Sequence, residues 1–320
     1  MLRKAAKYPY RIIINVLGLV EKGLLIISRS ELKYPPIFII GPPRSGTTLL
    51  YQLMVHFFHL SYISTIPNFF YTFPVLTSKI TKLILKPYQS DFKSYYGWTV
   101  GLNSPQKGKI WKRWFPISTD RKRGQYVDSG YLTSRQKREI KKTVAGMEKV
   151  YKEPFINKNL GHSMRISALV DIFPNALFLQ IKRDPTQVAL SILKSRKRNL
   201  NDISQWWSVI PREINQLKNK GYLEQIAGQV YYVEKNIDEQ ARTVGMDKFY
   251  TVTYKGLCED PRAELNGIRS FLDSKGASLL KKHRPPDSFR YIHISKNTFT
   301  KEQDALAKLV KQYYDSTLLD

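Results

Sequence analysis

The sequence predicts an α/β fold, with a parallel sheet flanked by helices on both faces and a large helical insertion. Two observations carry this. Ile37 to Ile40, Ala176 to Ile181 and Phe249 to Tyr254 are short runs of apolar, aromatic or β-branched residues, as expected of strands buried on both faces. Each is followed by turn residues and then by a helical apolar periodicity, so strands and helices alternate along the chain. No repeat, low-complexity block or linker divides the 320 residues. The chain therefore reads as an N-terminal amphipathic segment, 1–34, and one domain, 35–320, carrying an insertion at 61–150.

Arg3, Lys4, Lys7 and Arg11 precede the apolar stretch from Ile12 to Ile27. Glu21 and Lys22 interrupt it, leaving an uncharged run of 9 residues from Ile12 to Val20, too short to span a bilayer by itself. Three readings stay open: a helix lying on an anionic membrane, a helix docked on the core, and a true span, with the basic flank favouring the first. Pro35-Pro36 closes the segment and the first strand follows. Thr47 to His59 reads as a helix with Leu49, Leu50, Leu53, Met54 and Phe57 on its apolar face.

The insertion is aromatic and basic. From Lys79 to Lys149 there are 17 Lys or Arg against 5 Asp or Glu, a net of 17 − 5 = +12 within a global 52 − 26 = +26. Such a segment reads as a lid over a binding site. Beyond it, Phe155-Ile156 forms a strand end before Lys158-Asn159, and His162 to Phe173 reads as a helix. Pro185 starts a helix after the second apolar run, and Pro261 to Leu272 and Lys301 to Tyr314 are further helices. Cys258 is the single cysteine, which excludes an intramolecular disulfide and a cysteine cluster and favours a reducing, cytoplasmic setting. His56 and His59, spaced i, i+3, are the one histidine pair that could reach a common ligand; a plain helix face is the simpler reading, and no metal is expected.

The chemistry begins at Gly41-Pro42-Pro43-Arg44-Ser45-Gly46-Thr47-Thr48, between a strand and a helix. Backbone N–H groups and the helix N-terminus converge there on an anion, and Thr47 and Thr48 add hydroxyls, which makes this a phosphate-binding loop. It differs from the loop of nucleoside triphosphatases in carrying Thr47 where their lysine stands, with the cation moved to Arg44.

Pro43 to Leu50, Pro-Arg-Ser-Gly-Thr-Thr-Leu-Leu, resembles the 5′-phosphosulfate loop of sulfotransferases that use 3′-phosphoadenylyl sulfate (PAPS). Arg183-Asp184-Pro185 followed by Ser191 is similar to their 3′-phosphate motif, in which a strand-end Arg forks onto phosphate oxygens and a Ser donates from the next helix. A third match, Tyr254-Lys255-Gly256-Leu257 before Pro261, is weaker because Lys255 replaces an acid; the likeness puts Tyr254 near the adenine. The resemblance spans about residues 35 to 275. It implies PAPS as cofactor, 3′,5′-ADP as product, and contacts from Pro43, Arg44, Ser45, Gly46, Thr47, Thr48, Leu49, Arg183, Ser191 and Tyr254. Leu49 stands where the cytosolic branch has a Trp, and that branch's C-terminal glycine-rich loop is absent, leaving Arg290 or Lys296 as replacements.

Sulfuryl transfer needs a base for the acceptor proton and cations for the leaving phosphate. Arg44 suits the leaving phosphate. Lys158, in a segment resembling the family's K-x-P-x-H-x-x-R with Leu160 in place of Pro, suits the transferring sulfuryl group. No Asp or Glu occurs from Leu32 to Ser90, which removes the glutamate some relatives use and leaves His162 as the candidate base, with helix packing as its rival role. Phe69, Phe70, Tyr71, Phe73, Trp98, Trp111 and Trp114 in the insertion suit a lid core, a sugar or a lipid tail equally. The expected acceptor is a hydroxyl on a small molecule, lipid, glycolipid or carbohydrate, with peripheral attachment to the inner face of an anionic membrane and no nucleic-acid partner. The rival classes are a small-molecule kinase on the same sheet and a catalytically silent basic protein of the membrane surface.

Overall fold

The computed structural model describes residues 7–28, 31–94, 99–115 and 124–315, with side chains from Ile14 onward. Arg3, Lys4, Trp98 and the basic triplet 121–123 lie outside the described residues, as do the side chains of Lys7 and Arg11. In chain order the elements are α1 (Lys7–Ile27), β1 (Ile37–Ile40), α2 (Thr47–Phe57), α3 (Thr65–Phe69), α4 (Pro74–Ile84), α5 (Ser134–Tyr151), β2 (Ile156–Lys158), α6 (Ile166–Ile172), β3 (Leu177–Lys182), α7 (Pro185–Asn199), α8 (Ile214–Leu217), α9 (Tyr222–Val244), β4 (Phe249–Thr253), α10 (Tyr254–Glu259), α11 (Pro261–Ser274) and α12 (Lys301–Asp315).

The four strands form one sheet in the order β2-β1-β3-β4. Every pairing is parallel, with Ile39 opposite Lys158 and Leu179, and Lys182 opposite Thr253. Alternate residues of β1 feed different cores. Ile37 and Ile39 pack with Leu50, Leu53 and Met54 of α2 and with Leu265 and Ile268 of α11. Phe38 and Ile40 pack with Ile140 and Val144 of α5, Leu169 of α6 and Val233 of α9. Helices thus cover both faces, which is why the strands are apolar on both. A third cluster joins α7, α9 and α12 through Val188, Ile226, Val230, Leu306 and Val310. Because β1 lies between β2 and β3, the chain leaves it first to one side and then to the other, and a crevice opens at the C-terminal ends of the strands.

Two sequence expectations are corrected. The helix over 162–173 is two pieces, a 3-10 turn (Leu160–Met164) and α6, broken at Arg165 (φ −149°, ψ 33°). Arg165 leaves helical geometry to bury its guanidinium against the Gly161 carbonyl (Nε to O, 2.8 Å) and the Phe115 ring. Helix α2 ends at Phe57 rather than at His59, because Phe58 turns extended and its neighbour His59 pairs with Leu280. The insertion is helical, as its sequence leads one to expect; among the described residues it carries α3, α4 and α5, and α5 is a core layer whose capping box, Thr133 with Gln136, is readable in the sequence.

Glu21 explains the interruption in α1. Its carboxylate is buried and accepts from the backbone N–H groups of Val75 (3.2 Å) and Leu76 (2.6 Å), capping the first turn of α4. Lys22 beside it pairs with Glu139 of α5 at 2.7 Å. Among the described residues, no helix is long and apolar enough to cross a membrane.

Candidate active site

The crevice residues come from all four strand ends. The loop after β1 is held in an unusual backbone shape, with Arg44 at φ +69° and Gly46 at φ +109°. A non-glycine residue in this region costs on the order of 1 kcal/mol, a strain concentrated at functional loops. The loop is clamped from below: the Gly41 N–H donates to Ser163 Oγ (3.1 Å), and that hydroxyl donates back to the Gly41 carbonyl (3.1 Å). Ser45 turns its hydroxyl inward to the Pro42 carbonyl (2.8 Å), which its N–H also meets at 3.3 Å, so both groups shape the loop. Gly46 has a second constraint. A Cβ there would sit 2.5 Å from Cδ2 of Tyr254, so the glycine is what lets the tyrosine ring close on the loop. Thr47 is buried at the first turn of α2, while Thr48 and Leu49 are partly exposed.

Arg44 and Ser191 meet, Nε donating to Oγ at 3.1 Å. Arg183, one residue beyond β3, donates from Nη1 to the Arg44 carbonyl (3.2 Å) and from Nη2 to the Ile292 carbonyl (2.6 Å). Its guanidinium lies 4.3 Å from the Tyr254 ring centre. Its Nε is buried with no hydrogen-bond partner among the described residues, an unspent donor next to the Ser191 helix. Asp184 caps α7 through the Gln187 N–H (2.8 Å), so the Arg-Asp-Pro triplet both starts the helix and aims the arginine. Tyr254 opens α10, where Thr253 caps by accepting from the Gly256 N–H, and burial pushes its hydroxyl up to about 12. Lys255, the departure in that motif, faces solvent and pairs with Glu259, so it leaves the crevice untouched.

Lys158 closes the other side. It is 2% exposed and donates from Nζ to Thr48 Oγ1 at 2.9 Å. Burial, then the like charges of Lys107 and Arg44, hold its ammonium well below the usual lysine range. Lys107, also shifted down by burial and by Arg44, is a crevice cation that the sequence reading missed. It belongs to the insertion and reaches the site because Asn159 Nδ2 donates to its carbonyl (3.1 Å); no local spacing announces that contact. The segment around Ile292 lies between Arg290 and Lys296, which the sequence offered as replacements, and it meets Arg183 through the Ile292 carbonyl. It lines the Arg183 side, with Tyr291 against Tyr254 and the Ile294 backbone paired to Gln187 in both directions, at 2.8 and 2.9 Å.

His162 is fully buried, edge-on to Phe38 and Trp111. Trp111 Nε1 donates to Asn157 Oδ1 (2.8 Å), which fixes that atom as the amide oxygen, and His162 Nε2 lies 3.0 Å from the same oxygen. An oxygen only accepts, so the proton is on Nε2 and Nδ1 carries a lone pair. Nδ1 has no partner among the described residues. Burial and the Arg165 charge hold the ring neutral, well below the ordinary histidine range. The structure thus holds His162 as a neutral ring with a free lone pair on Nδ1, edge-on to Phe38 and Trp111. His56, by contrast, is tied to the Ser90 N–H and lies 3.2 Å from the Arg284 carbonyl.

A separate cavity of about 380 Å³ lies between α1 and α5. None of the crevice residues line it, and Lys22, Arg113 and Glu139 there are paired with one another. Among the described residues, no group of three or more His, Cys, Asp or Glu is arranged to hold a metal ion.

The chain is similar to known proteins in sequence and in fold. The chain is 26% identical over 289 residues, 84% of its own length and 71% of the relative's, to omega-hydroxy-beta-dihydromenaquinone-9 sulfotransferase Stf3 of Mycobacterium bovis, and equally to that of Mycobacterium tuberculosis. Its fold is similar to sulfotransferase STF9 from Mycobacterium avium (TM-score 0.50, 17% identity, 91% of this chain and 78% of that one). It is also similar to STF1 from Mycobacterium tuberculosis (TM-score 0.50, 13% identity, 80% and 72%). The sequence pattern of the Sulfotransferase family matches residues 35–275, the stretch that contains β1, all four strand ends and the crevice between them, and the chain belongs to that family.

Proposed function

We propose that the chain transfers a sulfuryl group from PAPS to a hydroxyl of a lipid-like acceptor. The carrying observation is the joined constellation of Arg44, Ser191, Arg183 and Tyr254, which matches a nucleotide with phosphates at two positions and a ring between them. The loop 43–48 and Arg44 would hold the 5′-phosphosulfate, Arg183 and Ser191 the 3′-phosphate, and Tyr254 with Gly46 the adenine side. The unpartnered Arg183 Nε supports the fit, because a buried donor with nothing to bond invites an anionic acceptor.

In the reaction the acceptor oxygen bonds to sulfur while the bond from sulfur to the bridging phosphate oxygen breaks, its electron pair staying on the 5′-phosphate. Arg44, Lys158 and Lys107 offset the charge that gathers there, and their mutual repulsion before binding makes the crevice more attractive to an anion. The acceptor proton goes to Nδ1 of His162. The ring is fully buried, so reaching it requires the side chains around it to move. The lipid-like acceptor is suggested by the curated relatives, whose names give a hydroxylated menaquinone derivative as their substrate, and by the aromatic insertion. Such an acceptor resides in a membrane.

Calorimetry with 3′,5′-ADP, and with ATP plus Mg²⁺, tests the reading. Binding of 3′,5′-ADP should weaken at least about tenfold in Arg183→Ala and in Arg44→Ala, the loss expected for a charge-assisted contact. A preference for ATP would sink it.

A further inference from the structure

Helix α1 docks through its polar and small residues and leaves its apolar ones outside. Glu21 is buried in the α4 cap and Gly18 lies against Thr72, while Leu19, Leu24 and Ile27 are 70%, 65% and 81% exposed. Helix α4 repeats the pattern, burying Thr77, Ser78 and Thr81 and exposing Leu83 and Ile84 at 78% and 73%. Just beyond α4, Asn103 Nδ2 donates to the Lys86 carbonyl (2.9 Å), which brings up the 99–104 loop with Val100 at 88% exposure. Ordinary helices bury these residue types. Here two helices joined by the Glu21 cap, and the loop held beside the end of the second, all invert the rule, more than scattered exposure accounts for.

The charges on this stretch are mostly positive. Lys79, Lys82 and Lys86 lie on or beside α4, and no Asp or Glu occurs between positions 32 and 90 or in the first 20 residues, which carry four Lys or Arg. The one acid on α1's apolar stretch, Glu21, faces inward. We infer that the face formed by α1, α4 and the 99–104 loop seats on an anionic bilayer, its apolar rows entering the headgroup boundary and its lysines pairing with lipid phosphates. Exposed apolar side chains among a basic excess fit that occupant better than a folded protein surface of mixed charge.

The same loop leads to the crevice. Gln106 is bonded to Thr99 and Ser104 (3.1 and 3.0 Å), and the next residue is the crevice cation Lys107. A lipid hydroxyl would pass from the bilayer beside Val100 to Lys107 and Lys158 without crossing water. The inference rests on the lipid-acceptor reading for that last step only.

Vesicle flotation of the full chain tests it, with phosphatidylcholine alone and with phosphatidylglycerol added. The wild type should float with the anionic vesicles and not with the neutral ones, and added NaCl should release it. Leu83→Glu with Ile84→Glu, and separately Leu24→Glu with Ile27→Glu, should each lower the bound fraction at least about tenfold while 3′,5′-ADP binding is unchanged. Wild-type protein that stays in solution, variants that float equally well, or a wild-type dimer abolished by these substitutions without vesicle binding would each overturn it. Vesicle binding by a protein that ignores 3′,5′-ADP would sustain this surface and sink the sulfuryl-transfer reading, so the two failures are separable.

Discussion

Lys158 and His162 lie four residues apart, and burial acts on both by disfavouring the charged form. For Lys158 the two neighbouring cations add to the cost, so in the ligand-free protein its charged form is disfavoured, and a bound anion would restore it. Lys158→Met keeps the length of the stem and removes the charge. It should raise the unliganded stability by roughly 1 to 3 kcal/mol, as replacement of poorly compensated buried charge does, while transfer falls to background. Denaturant unfolding beside a single-turnover assay checks both, and a destabilised but active variant would refute the assignment. For His162 the proton count has a definite sign. The folded ring resists protonation, whereas the unfolded ring takes a proton near pH 6.5, so the unfolded state binds more protons and stability falls as pH drops below about 6.5. The slope is at most about 1.4 kcal/mol per pH unit. His162→Gln can still donate to Asn157 Oδ1, so it should lose this sensitivity between pH 7 and pH 5. If His162 is also the base, kcat should drop by about 10² to 10⁴; a flattened stability profile with full activity would leave the ring a packing group.

At the scale of elements, what could be read in advance was what is local. The run Ile37 to Ile40 is apolar because both sheet faces are covered, and Pro185 marks a helix start because Asp184 precedes it as cap. The loop 41–48 and the Arg183 to Ser191 spacing were legible because each sits on a single strand-turn-helix. That Arg44 Nε would meet Ser191 across 147 positions was not, since it depends on β1 and β3 being neighbours. Helix α9 carries a readable periodicity, with Ile226, Val230, Val233 and Ile237 all buried, but it contains no chemical motif and so drew no attention. Lys107 lay deepest of all: one of 17 basic residues in its stretch, it is singled out by an amide on the far side of the crevice. The ambiguity over α1 had a physical source too. Glu21 looks like a defect in an apolar helix until the first turn of α4 supplies the N–H groups it accepts from.

For the molecule as a whole, the question is how much of the +26 belongs to the crevice. Eleven ion pairs among the described residues leave many cations without a carboxylate, and such an excess destabilises the compact state by self-repulsion at low ionic strength. Two contributions to stability should therefore separate in a thermal-unfolding titration. Raising NaCl should lift the unfolding midpoint smoothly, because screening acts on every exposed cation at once. Adding 3′,5′-ADP at about 100 times its Kd should contribute roughly 2.7 kcal/mol more, since only the folded crevice binds it. Arg183→Ala removes one charge of 52, so it should leave the salt response nearly intact and remove at least about half of the nucleotide response at the same concentration. If the variant kept the full nucleotide response, the ligand would be stabilising the protein as a general polyanion, and the constellation of Arg44, Ser191, Arg183 and Tyr254 would not be its site.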